Sequence, residues 1–321
     1  IAKKFKRDNE LDFTPEQIVV STGAKQSITN VCLSLLNPGD EVLLPAPYWV
    51  SYKQMVKLAD GVPKIIQTDI NTNFKITPEK LEKEITSKTK AFLFSSPCNP
   101  SGSVYTKKEL HDIAMVLKKH KNIVIISDEI YEHINFQTQH FSIGSIKGMQ
   151  DQVVTINGLS KGFAMTGWRF GYLGAPKTIA DACIKMQGQI TSATCSIAQR
   201  AAITALSEDP SCTKQMCQTF KERRDLIIKL LSKIKGLKIN KPEGAFYIFP
   251  NISYYLGKKY QNKIIENSSD LAMYLLTNGG VATVSGAAFG TKNCLRISYA
   301  ASEEKIKKAC ELIKISLEEL N

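Results

Sequence analysis

Through its first two-thirds this chain alternates short apolar, often β-branched runs with amphipathic stretches, and few architectures accept that order. The runs are Ile18 to Ser21, Glu41 to Leu44, Lys64 to Thr68, Ala91 to Ser95, Ile123 to Ser127 and Val153 to Ile156. Between them the spacing predicts helices. Over Lys107 to His120, for example, Leu110, Ile113, Ala114 and Leu117 share one face. Thr77-Pro78-Glu79 reads as an N-cap followed by proline at the first helical position. Such alternation builds βαβ units around a mainly parallel sheet, so the fold class is α/β. After Asp209-Pro210 the order changes to a long helix through Leu231, then short strands near Lys238, at Ala245 to Phe249, Val281 to Val284 and Leu295 to Tyr299, and a closing helix from Ser302. The expected organisation is a large domain over 1–209 and a smaller α+β domain over 210–321.

Composition narrows the function classes. A chain of 321 residues accommodates two domains, and 43% hydrophobic with 22% charged residues excludes wholesale disorder. The net charge of +12 raises the question of a nucleic-acid partner. Basic residues such as Lys118, Lys119 and Lys121, or Lys305, Lys307 and Lys308, fall at helix ends or on polar helix faces. They read as solvated charge, which also attracts anionic substrates and cofactors, and no nucleic-acid partner is expected. The eight cysteines are irregularly spaced and form no C-x-x-C pair, so neither a metal site nor a disulfide framework is expected. No apolar run reaches the ~18 residues of a transmembrane helix, and no signal peptide opens the sequence. A cytoplasmic location without a membrane partner is the default expectation.

Three segments carry polar or conformationally special residues just beyond a predicted strand, where open parallel sheets bind ligands. They are Ser96-Pro97-Cys98-Asn99-Pro100-Ser101-Gly102, Ser127-Asp128-Glu129-Ile130-Tyr131, and the run from Asn157 through Ser160-Lys161-Gly162 to Gly167-Trp168-Arg169. No G-x-G-x-x-G follows the first strand, so a dinucleotide-binding dehydrogenase has no support.

With these motifs in this order, the sequence resembles the fold-type I pyridoxal-phosphate aminotransferases over essentially its whole length, in the branch that holds aspartate and prephenate aminotransferases. The resemblance implies the pyridoxal-phosphate transferase fold, with a mainly parallel seven-stranded sheet flanked by helices. It implies that Lys161 occupies the Schiff-base position and then serves as general acid and base. Asp128 pairs with the cofactor's ring nitrogen, while Tyr131 and Asn99 donate to its 3′ oxygen. Arg169 and the helix start at Thr22-Gly23-Ala24-Lys25 hold the phosphate, and Trp49 stacks on the ring. Gly158 stands where many relatives carry a serine, with Ser160 as the substitute. Arg296 grips the substrate's α-carboxylate with both of its donor edges, and Lys25 faces the distal carboxylate of aspartate or glutamate.

Further implications are cis peptide bonds at Ala46-Pro47 and Asn99-Pro100, and a homodimer in which Thr191 and Ser192 reach the neighbouring site. The match begins within a helix over 1–13, so the family's preceding segment is expected to be missing from this sequence. A carbon–sulfur β-lyase on the same scaffold and a non-catalytic module of this fold are the alternative readings. Lys161, Asp128, Arg169 and Arg296 together argue against the module, which needs no such set.

Overall fold

The computed structural model describes residues 1–137 and 139–321. Its order begins with α1 (Ala2–Asn9), β1 (Ile18–Ser21), α2 (Ala24–Leu35), β2 (Glu41–Ala46), α3 (Ser51–Leu58), β3 (Val62–Gln67) and α4 (Pro78–Glu84). There follow β4 (Thr89–Ser95), α5 (Lys107–Leu117), β5 (Val124–Asp128), β6 (Val153–Gly158), β7 (Gly171–Gly174), α6 (Lys177–Ile190) and α7 (Ser196–Ser207). These strands form one seven-stranded sheet in the order β1-β7-β6-β5-β4-β2-β3. Strands β2 to β6 pair in parallel, whereas β7 runs antiparallel to both β1 and β6. Sequence reading passed over β7 because two glycines bracket only two larger residues, a pattern that reads as a turn.

Burial on both faces explains why the central strands lack polar alternation. Successive residues point to opposite sides, so Leu44, Leu93 and Ile126 pack under α2, α3 and α6, while Leu43, Phe92 and Ile125 pack against α4 and α5. The predicted Thr77 cap is present, its side chain accepting from the Lys80 N–H. The helix expected to run to His120 ends at Leu117. The lead-in helix is likewise shorter than 1–13, because Glu10 takes a left-handed conformation (φ 57) that closes α1.

The remaining elements are α8 (Ser211–Leu231), β8 (Tyr247–Ile248), β9 (Lys259–Tyr260), β10 (Lys263–Ile264), α9 (Ser268–Thr277), β11 (Val284–Ser285), β12 (Leu295–Ser298) and α10 (Glu303–Glu318). They gather round a second apolar cluster that includes Leu231, Ile248, Leu271, Ile297 and Ile313. The strand expected near Lys238 is a single bridge to Asn251, and the one expected over Val281 to Val284 pairs only at Val284–Ser285. Strand β12 pairs with both β8 and β11, which aims Arg296 back toward the carboxyl ends of the large sheet. Among the described residues, no helix is long and apolar enough to cross a membrane.

Candidate active site

Strands β4, β5 and β6 end at Ser95, Asp128 and Gly158, and the residues just beyond those ends meet at one cavity of about 320 Å³. Ala24, Lys25, Trp49, Asn99, Asp128, Tyr131, Lys161, Arg169 and Arg296 all border it. Gly23, also expected at the site from the sequence, lies against the Arg169 guanidinium. Ala46-Pro47 and Asn99-Pro100 are cis, and so is Ser96-Pro97, which the sequence reading had not singled out.

Asp128 forms the floor. It is buried, its Oδ2 accepts from the Tyr52 hydroxyl at 2.5 Å, and its Oδ1 accepts from the Ile130 N–H at 3.2 Å. Burial pushes its carboxyl up to about 6, aided by the charge of Glu129; the Tyr52 and Ile130 donors and the Lys161 charge hold it from rising further. At neutral pH the group is therefore still ionised. Across the cavity, burial pushes the Lys161 amine down; Asp128 opposes this, and Arg169 and Arg296 reinforce it. A depressed lysine supplies more of the neutral amine that attacks a carbonyl. The Tyr131 hydroxyl lies 3.1 Å from that of Tyr247, and burial is the first cause holding its proton far above the ordinary phenol range.

Arg296, on β12, turns inward. Its Nη1 donates to Asn99 Oδ1 at 3.1 Å, and the guanidinium carbon lies 4.5 Å from the centre of the Tyr247 ring and 5.0 Å from that of Phe289. Its Nε is buried without a partner among the described residues. A buried unpaired donor on a cation is costly unless an anion completes it. Because the Asn99 oxygen is occupied by Arg296, its amide NH₂ is the group left to donate.

The opposite end is more open. Gly23 caps α2 with φ 89, and a Cβ there would collide with the Arg169 guanidinium. The first N–H groups of α2, at Ala24 and Lys25, have no partner within the helix, and such a helix start suits an anion. Arg169 is exposed; its Nη1 donates to the Thr166 carbonyl at 2.8 Å and its Nη2 to the Thr22 carbonyl at 3.4 Å. The Lys25 ammonium, also exposed, lies 5.1 Å from the Trp49 ring centre. Gly158 closes β6, where a Cβ would stand 2.7 Å from the Phe170 carbonyl, and Ser160 borders the cavity.

Sequence reasoning missed Tyr52 and Tyr247 and gave no role to Ser95, Ile130 and Thr166 within the segments it named; all five border the same cavity. For Tyr52 a signal existed: it follows Trp49 by three positions, one helical turn, and the two rings meet edge to face at 5.5 Å. Tyr247 left no comparable trace, since it reaches Tyr131 where residues 243–245 bond to residues 134–136, more than a hundred positions away in the chain. Thr191 and Ser192 are exposed just after α6, and Thr191 Oγ1 accepts from the Gln26 amide at 2.5 Å, beside the start of α2.

The residues fit pyridoxal phosphate. A lysine and a carboxylate border one cavity, Trp49 adds an aromatic ring to its lining, and a helix start beside Arg169 suits a phosphate. Comparison with known proteins agrees. A family model described as aminotransferase class I and II matches residues 1–313. A Petunia hybrida protein named bifunctional aspartate aminotransferase and glutamate/aspartate-prephenate aminotransferase is 47% identical over 99% of this chain and 67% of its own length. An aspartate/prephenate aminotransferase of Cereibacter sphaeroides is 45% identical over 98% of the chain and 79% of its own length. Among solved structures, the aspartate aminotransferase from Rhizobium meliloti superposes with a TM-score of 0.97 at 39% identity, covering 100% of this chain and 81% of that one. An aromatic aminotransferase from Pyrococcus horikoshii gives 0.93 at 38% identity, over 99% and 84%.

Proposed function

The chain belongs to the class I and II aminotransferases, and we propose that it moves an amino group between aspartate or glutamate and a 2-oxo acid with pyridoxal phosphate held between Lys161 and Asp128. The observation that carries this reading is the convergence of a depressed lysine, a buried carboxylate and a partly unpaired arginine on one cavity. When bound, pyridoxal phosphate supplies an electron sink for the pair left on the substrate's α-carbon once its proton departs.

The chain's own residues supply the rest. Arg296 binds the α-carboxylate with its free donor edge, which fixes the α-carbon relative to Lys161. Lys161, its amine pushed below the usual lysine range by burial, takes a proton at that carbon and returns one during the reverse half of the cycle. Asp128, braced by Tyr52 and the Ile130 N–H, keeps a negative charge at the cavity floor, where a ring nitrogen can be held protonated. Tyr131 and the Asn99 amide are the donors for a phenolic oxygen. Arg169, Ser160 and the α2 start would hold the phosphate, and Trp49, in the cavity wall, would exclude water.

The aminotransferase names of the relatives favour amino transfer over the carbon–sulfur lyase reading. We also infer that two copies associate. Ile184 and Ile190 on α6, with Ile197 and Ile203 on α7, are exposed on either side of Thr191 and Ser192. One preparation tests the whole reading. Protein incubated with pyridoxal phosphate should sediment as a dimer, convert aspartate and 2-oxoglutarate to oxaloacetate and glutamate, and after borohydride carry the cofactor on the peptide containing Lys161. Label on another lysine would overturn the site, pyruvate and sulfide from cysteine in place of amino transfer would restore the lyase, and full activity as a monomer would remove the dimer.

A further inference from the structure

Behind the cavity floor, the turn that presents Asp128 and Tyr131 carries a second set of charges. Their sequence neighbours Glu129 and Glu132 are buried on its reverse side, toward α1. Lys4 of α1, also buried, pairs with Glu132 and donates to Asn9 Oδ1 at 2.6 Å, and Asn9 donates to Glu132 at 2.7 Å. Glu129 accepts from the Ser127 and Ser142 hydroxyls at 2.9 and 2.8 Å and meets His140 Nε2 at 2.8 Å. His133 lies 3.2 Å from Glu132, and Asp8 lies 3.9 Å from Lys4.

The ligand atoms of Glu129, Glu132 and His140 lie within 4.8 Å of one another, a spacing that a divalent cation could use. The protein already supplies the positive charge. Lys4 sits on Glu132, and burial, which alone would push the His140 imidazolium down, is outweighed by Glu129 and Glu132, so that its pKa is raised. Two unbalanced buried carboxylates beside Asp128 would disfavour a third negative charge there.

We propose that Lys4, acting through Glu132, and His140, acting through Glu129, are positioning residues that fix the Asp128–Tyr131 turn and keep the Asp128 charge affordable at the cavity floor. This deepens the amino-transfer reading and rests on it only for the use made of Asp128. The titratable groups facing Asp128 are Tyr52 from α3, Lys161 after β6, Cys98 after β4, and Glu129 and Tyr131 on its own segment. Those facing His140 are Glu129, Glu132 and Lys4.

The test is a carboxyl NMR titration of the cofactor-free full chain, with Asp128 assigned from the resonance lost in Asp128→Asn. Lys4→Met should raise the Asp128 midpoint by about one pH unit and weaken pyridoxal-phosphate binding about tenfold, as read from quenching of tryptophan emission. Lys4→Arg, which keeps the charge, and Lys4→Met/Glu132→Gln, which removes both charges, should each return the midpoint to within about 0.3 of the parent. The exposed Lys6→Met serves as control. A lowered melting temperature in Lys4→Met with an unmoved Asp128 midpoint and unchanged cofactor affinity would reduce the network to a structural one and overturn the proposal. Should Lys4→Met fail to fold, His140→Gln decides, because a raised midpoint supports the proposal and an unmoved one overturns it. The midpoint is measured without cofactor, so a chain that shows the shift yet binds no pyridoxal phosphate defeats the amino-transfer reading and leaves this one standing.

Discussion

The floor and the rim of the cavity solve opposite problems. At the floor, Tyr52, Asp128 and Tyr131 are buried, and each has its hydrogen-bond partner in place before any ligand arrives. At the rim, Lys25 and Arg169 are exposed, and Arg169 leans on backbone carbonyls at the edge of hydrogen-bonding range on one side. Buried polar groups must be satisfied by the protein and so come preorganised. Exposed cations pay little for being unpaired, so they can wait for an anion and stay sensitive to salt. Chemistry accordingly belongs to the floor, and capture and discrimination to the rim.

The sharpest way to break this division is Asp128→Asn. If the floor is preorganised for reaction and not for stability, activity and stability should move in opposite directions. We expect kcat to fall by roughly 10²–10⁴, or about 3–5 kcal/mol of barrier. The stability sign follows from linkage. The folded carboxyl is raised to about 6 from 3.8, so its ionisation disfavours the folded state, and the contribution to stability present at low pH is lost as pH rises through about 6. The cofactor-free variant should then be more stable than its parent at pH 8 by up to about 3 kcal/mol, with the difference vanishing below about pH 4. Thermal unfolding across that range checks it. A variant less stable at pH 8 would mean that the carboxylate serves the fold.

A smaller effect is expected at Tyr52. Tyr52→Phe removes a donor to the ionised form of Asp128, so the carboxyl should rise above about 6 and the acid limb of kcat/KM should move to higher pH. The loss of one hydrogen bond to a charge corresponds to about 1.5–3 kcal/mol, or roughly one to two pH units, so the loss of activity should be confined to below about pH 8. An unshifted acid limb would assign that limb to another group.

Where the sequence was informative, the reason is local. Lys161, Asp128 and Asn99 follow strand ends in short motifs, and a strand end in a parallel sheet is where ligands bind. Leu43 and Leu44 could be read as buried because a sheet covered on both faces needs continuous apolar runs. Tyr247 and the Lys4–Glu132 pair were not legible, since each depends on elements more than a hundred residues apart. Strand β7 escaped for a different reason: its two glycines read as a turn, and the pairing with β1 and β6 alone makes it a strand. Local chemistry marks the floor, and long-range packing supplies its braces.

Lys25 offers the mildest test, and it bears on the rim alone. Its ammonium stands at the start of α2, where the helix dipole mildly disfavours a cation and favours an anion. It also lies over the edge of the cavity, 5.1 Å from the Trp49 ring centre, with no ion-pair partner among the described residues. Arg296 borders the same cavity, so a substrate carrying two carboxylates could engage both cations. Fold does not decide the matter, because a structure with a TM-score of 0.93 is named an aromatic aminotransferase and another at 0.97 an aspartate aminotransferase. Being exposed, Lys25 should contribute less than a buried charge. We expect Lys25→Ala to lower kcat/KM for aspartate by about 1–2 kcal/mol at low ionic strength, with the loss shrinking as salt rises past roughly 0.1 M. Alanine and aromatic donors, lacking the second carboxylate, should lose much less. Equal losses for all donors would make Lys25 a partner of the phosphate, and a salt-independent loss for aspartate would mean that the rim closes over its substrate and is as buried in the complex as the floor.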